Sequence, residues 1–153
     1  MTLSPAYAER LGVPLRWWVQ GTMLVATLWL AVVVALPGLA AWIVTLVALA
    51  VMTFLFTAIG SARVVVANGE LRAGRAHIGA EHLGAATALD AEQTHRAAGV
   101  EADARAYLLL RPYLKRAVKV EITDPADPAP YWLVATRHPE ELARALTALT
   151  HAS

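Results

Sequence analysis

The residues able to do covalent chemistry are few in this 153-residue chain, and their spacing does not assemble them. Cysteine is absent, which removes disulfides, thiolate-bound zinc, iron–sulfur clusters and a thiol nucleophile. Serine stands only at Ser4, Ser61 and Ser153, none of them inside a Gly-x-Ser-x-Gly elbow. Neither kind of phosphate-cradling glycine loop is present. The histidines are His77, His82, His95, His138 and His151. His77 and His82 have the wrong pitch for one helix face and the wrong parity for one strand face, so they read as exposed side chains and not as metal ligands. Glu140 and Glu141 are neighbours on a helix and do not face each other, which makes them first-turn carboxylates and not an acid–base pair. Asp124 and Asp127 flank prolines and are expected to close Asx turns. The chain therefore reads as non-enzymatic, with no catalytic residue, no metal and no cofactor.

One cluster has binding chemistry. Arg111, Lys115, Arg116 and Lys119 are interleaved with Tyr113. Beside an anionic leaflet each such cation contributes about 1 kcal/mol. The functional reading is a contact with anionic lipid headgroups or an anionic partner. The alternative is a solvated turn and strand face, and Glu121, Asp124 and Asp127 dilute the local field.

What must position these residues is set by the stretch from Trp17 to Ala62, which is 46 residues long and contains no Asp, Glu, Lys, Arg or His. One membrane span takes about 20 apolar residues. This stretch accommodates two, at about 17–36 and 39–60, with Pro37-Gly38 breaking the helix between them. The apolar run is too long for the core of a signal peptide, and a second run follows it. Arg16, Trp17 and Trp18 before the first span, Trp42 near the start of the second and Arg63 after it are the expected interface anchors. Ala41, Thr45, Ala48 and Met52 fall at helical spacing and form a mostly small face, of the kind that lets helices approach closely. Positive charge flanks the hairpin at Arg10, Arg16, Arg63, Arg72 and Arg75, and the connecting turn has none. The positive-inside rule then puts both termini in the cytoplasm of a multi-pass protein of the cytoplasmic membrane. Residues 1–16 read as a surface-lying juxtamembrane lead, because Gly12 and Pro14 oppose a long helix there.

Residues 63–153 form the remaining domain. It carries 11 basic and 11 acidic residues, a balance that argues against nucleic-acid binding. Arg63–Ala67 and Glu70–Gly74 flank Asn68-Gly69, the strongest short hairpin signal. A strand is expected at about 84–89. Asp90 and Gln93 form a capping box for a short helix over 91–98, which Gly99 ends. A buried-type strand follows at 107–110, then a turn at Arg111-Pro112-Tyr113. Val118, Val120 and Ile122 alternate with polar residues as a half-buried strand. The proline-rich run 124–130 is a loop, and 131–136 the partner strand. Pro139, Glu140 and Glu141 open a last helix, with Leu142, Leu146 and Leu149 on its buried face.

Two passages carry a resemblance. They are Tyr107–Val120 and the pair Asp124–Pro128 with Pro130–Leu142. With the preceding hairpin they resemble an uncharacterised family of actinobacterial two-pass membrane proteins, a domain of unknown function. No activity comes with that resemblance. More distantly, residues 63–149 are similar to bacterial pleckstrin-homology-like (PH-like) domains, through the closing strand, the Thr136-Arg137-His138-Pro139-Glu140-Glu141 turn and the amphipathic helix. The implied fold is a membrane α-hairpin plus an α+β domain, a bent antiparallel sheet capped by the C-terminal helix. The implied role is an interaction module at the cytoplasmic membrane surface. Its partners would be the bilayer, another membrane protein or a second copy, or anionic headgroups. The alternative role is an accessory or assembly subunit of a larger membrane complex.

Overall fold

The computed structural model describes residues 5–36 and 38–152; Ser4, Pro37 and Ser153, on which parts of the sequence reading rest, lie outside the described residues. Two compact units divide the chain. Gly12–Ser61 is one, and the chain up to Leu11 joins the chain from Ala62 onward in the other.

The first unit is a pair of helices, α1 (Leu15–Ala35) and α2 (Leu39–Gly60). Both are long and apolar enough to cross a membrane. At 1.5 Å per residue each is about 30 Å long, the thickness of a hydrocarbon core. α1 begins two residues before the expected Trp17, because Pro14 caps it and accepts the Trp17 N–H at 2.9 Å. The small face of α2 is the one that meets α1: Ala41 is fully buried, and Thr45, Ala48 and Met52 are half-buried. Gly21 on α1 lies close against Met52, whose Sδ would be 2.6 Å from a Cβ placed there and would have to shift. Trp18 meets Phe56 edge-on at 5.1 Å, and the Trp29 and Trp42 rings lie 6.1 Å apart. The hydroxyls of Thr22, Thr27, Thr45 and Thr57 each donate to the carbonyl four residues back, so these polar groups are satisfied within their own helix.

The second unit holds two four-stranded sheets. The first has the order β1 (Tyr7–Arg10), β2 (Arg63–Ala67), β3 (Glu70–Ala73), β4 (Ala76–Gly79), antiparallel throughout. Asn68 and Gly69 take φ of 53° and 78°, the left-handed pair that a two-residue hairpin turn demands, and pin β2 to β3 in the expected register. Two strands here differ from expectation. Residues 7–10 are not a surface-lying lead: they pair with β2 from Tyr7↔Val66 to Arg10↔Arg63. The expected boundary at residue 62/63 moves accordingly, and Leu11 and Ala62 both enter the core. β4, with one strong β-former in Ile78, also appears where no strand was expected.

The second sheet has the order β5 (Leu83–Leu89), β7 (Ala117–Ile122), β8 (Tyr131–Ala135), β6 (Tyr107–Leu109). A 3₁₀ turn at Ala80–His82 leads into β5. β6 runs parallel to β8, so the architecture is two sheets, one of them mixed, and not a single bent antiparallel sheet. The reason is the connection. α3 (Ala91–Ala98) carries the chain from β5 to the far edge, and a helical crossover delivers a parallel strand. Its start is the expected capping box, with Gln93 N–H donating to Asp90 Oδ1 at 2.8 Å and Asp90 N–H to Gln93 Oε1 at 3.0 Å. Both faces of β8 are covered. Trp132 and Val134 face the main core with Val64, Val66, Leu71 and Val120, while Tyr131 and Leu133 face Ala97. α4 (Pro139–Ala152) closes the main core with Leu142 and Leu146, 0% and 1% exposed. The Asx turns at Asp124 and Asp127 form, accepting from Ala126 N–H and Ala129 N–H.

Candidate functional site

The most connected polar group in the α+β unit is one that the sequence did not single out. Glu9 sits on β1 with its side chain 9% exposed. Its Oε2 accepts from Tyr7 Oη at 2.6 Å and from Thr136 Oγ1 at 2.5 Å. Its Oε1 accepts from the Arg137 N–H at 3.2 Å and Arg137 Nη1 at 3.3 Å. Burial alone would raise the Glu9 carboxyl, but hydrogen bonds from Thr136, Tyr7 and Arg137 together outweigh it and hold the group below its usual range. The Tyr7 hydroxyl is pushed up, by burial first and then by its bond to Glu9. Thr136 and Arg137 belong to the turn between β8 and α4, so this carboxylate ties the N-terminal strand to the closing turn.

The basic cluster divides on folding. Tyr113 Oη donates to the Leu11 carbonyl and Arg116 Nη2 to the Arg137 carbonyl at 2.8 Å, so both brace the same junction. Lys119 turns to the opposite face of its sheet and lies over the Tyr131 ring, 4.4 Å from its centre. Arg111 keeps Tyr113 as a side-chain hydrogen-bond partner, and Arg111 and Lys115 stay together. They line an open groove of about 630 Å³ between α3 and the loop after β6. Thr94 and His95 of α3 and the apolar Leu110 and Leu114 complete it, and no carboxylate is among its lining residues. Thr94 Oγ1 and Arg111 Nε are buried there without a hydrogen-bond partner. A groove of this kind holds an anionic group by charge-assisted hydrogen bonds against an apolar wall. Among the described residues no three His, Asp or Glu side chains gather as a metal site.

The expected anchors fall in two places. Arg16, Trp17 and Trp18 lie in the first turn of α1, and Trp42, 57% exposed, in the first turn of α2. Arg63 lies instead within β2, exposed on the outer face of the first sheet and directly opposite Arg10.

A family model described as "Protein of unknown function (DUF3093)" matches residues 6–146. No curated protein and no solved structure matches the chain.

Proposed function

Because the chain belongs to the DUF3093 family, whose function is unknown, we propose a role from geometry: a non-enzymatic integral membrane protein whose two apolar helices hold a PH-like interaction module at the cytoplasmic membrane surface. The observation that carries this reading is the pairing of β1 with β2. The helices are inserted between two strands that hydrogen-bond to each other, so both ends of the hairpin belong on one side of any membrane that it crosses. The strand before α1 also argues against a cleaved leader, since cleavage would remove part of the core. A buried core helix is a poor alternative: of the most apolar windows of α1 and α2, 0% and 6% are buried, and Leu46, Val47, Phe54 and Leu55 stay exposed. Exposed faces of this kind fit lipid. The arginines around both hairpin ends favour the cytoplasmic side. The two packed sheets, the closing turn at Thr136–Glu141 and α4 support the PH-like reading, to which the α3 crossover is an addition.

Topology is tested directly, because the chain has no cysteine of its own. In intact cells a membrane-impermeant maleimide should label Leu36→Cys in the connecting turn and spare Ala148→Cys on α4 until the cells are lysed. Labelling of position 148 in intact cells would overturn the orientation. Within the module, the groove of Arg111 and Lys115 is the surface whose chemistry fits an acidic segment of a partner. Lys115→Glu should release a companion protein that co-purifies with the wild-type chain in mild detergent. Equal retention would remove the groove from the reading.

A further inference from the structure

The two sheet faces of the first sheet differ sharply in character. The inner face carries Val64, Val66, Leu71 and Ala73, all fully buried. The outer face carries Arg10, Arg63 and Arg72, with His77 opposite Arg72 and the exposed Arg75 in the adjoining turn. Two carboxylates reach this face: Glu70 is held by Arg72 at 3.3 Å, and Glu81 folds over Gly79 at its far edge, beside His82. Among the described residues no acidic side chain pairs with Arg10, Arg63 or Arg75. Arg10 and Arg63 are direct cross-strand partners, and like charges so placed repel. Ala8, Arg72 and His77 on this face are exposed.

The chain also fixes how far these groups stray from the apolar helices. Arg63 follows the last residue of α2 by three positions, and Arg10 precedes the first residue of α1 by five. Three residues reach about 10 Å at full extension and five about 17 Å. The polar layer on each side of a bilayer is itself about 5–8 Å deep. Two arginines from opposite ends of the hairpin are thus paired beside each other, each within about 10–17 Å of chain of a helix end.

We propose that this outer face of the first sheet is a docking surface for the anionic phospholipid headgroups of the membrane that the helices cross. The inference rests on the membrane reading above and adds to it the surface and the ligand. A phosphate lying between Arg10 and Arg63 relieves their repulsion and takes charge-assisted bonds from both guanidiniums. Val65, half-buried between Arg63 and Arg72, and Ala67 beyond it floor a shallow concavity of about 440 Å³ that these two arginines rim.

The test uses the full chain in lipid nanodiscs, with a fluorophore on Ala8→Cys and, separately, on Ala148→Cys. Headgroup-labelled quencher lipid is present in discs that are either zwitterionic or rich in phosphatidylglycerol. Quenching at position 8 should rise in anionic discs and fall again in about 0.5 M salt, where the screening length is a few ångströms. Arg10→Gln/Arg63→Gln should abolish the rise, and Arg10→Lys/Arg63→Lys should keep it. Position 148 should not respond to lipid charge. Equal responses at the two positions, or a rise that survives the double glutamine variant, would overturn the proposal. The glutamine variant loses a repulsion and should melt no lower than wild type, so unfolding does not explain its result. Failure of the chain to enter the discs would overturn the membrane reading as well; entry without lipid-dependent quenching overturns this surface alone.

Discussion

Replacing Glu9 with alanine is expected to destabilise the α+β unit by about 3 kcal/mol. The change removes the acceptor that the Tyr7 and Thr136 hydroxyls share; 2.7 Å apart, one can donate to the other, but the second donor loses its partner where Thr136 is 1% exposed. It also removes the carboxylate that Arg137 faces, although Arg137, at 39% side-chain exposure, recovers part of that loss from water. The measurement is urea unfolding in detergent, read by amide exchange along β8. A loss below about 0.5 kcal/mol, the range of an ordinary surface change, would show that the carboxylate is not the tie described. The same group sets a pH dependence. Its folded-state affinity for protons is depressed relative to the unfolded chain, so its contribution is fully present above the unfolded value of about 4.3. It is lost as pH falls through the lower folded value. Wild-type stability should therefore decline on acidification below about pH 4. Glu9→Gln should remove this group's share of the slope.

Leu142→Ala should cost about 3–4 kcal/mol, the usual range for a large core truncation. Leu142 is fully buried in the main core, among the side chains where α4 closes over the sheets. The cavity left would lie at the base of α4, next to the fully buried Pro139 that starts it. Leu142→Met, which nearly conserves volume, should cost less than about 1.5 kcal/mol. Leu149→Ala, at a half-buried position in the last turn of α4, should fall between. A flat ranking across the three in the same unfolding measurement would mean that α4 does not plug the core. A steep one would confirm that its leucine stripe is read correctly.

The features legible in the sequence were those encoded within a few residues. Asn68-Gly69 specifies a hairpin by backbone conformation alone, Asp90 and Gln93 satisfy one helix start between them, and Pro139 with two glutamates marks another. The alternation at 118–122 needs only its own period. β1 escaped because its signal is spread over the chain. Tyr7-Ala8-Glu9-Arg10 is four residues, with a carboxylate at an inward position, and its partner lies beyond the whole hairpin. An inward-facing glutamate looks like a surface residue until Thr136 and Arg137 arrive to satisfy it. The basic cluster was legible as a run of charge but not as a site, because strand alternation and the turn at Pro112 send its members in different directions. Nor could local pattern show that α3 crosses to the far edge and makes β6 parallel.

The pairing of β1 with β2 also constrains the order in which the protein can be made. β1 leaves the ribosome before either helix and β2 only after both. The first sheet therefore cannot take up β1 until the whole hairpin has been made, even though β1 precedes both helices. On the proposed topology, a chain in which α1 inserts and α2 fails to return strands β1 and β2 on opposite sides of the bilayer. β2 then keeps an open edge of unpaired amides, and Tyr7, Glu9 and Leu11 never reach the core. On that topology, completion of the sheet reports insertion: a correctly returned hairpin brings β1 to β2, and a misrouted one keeps them apart.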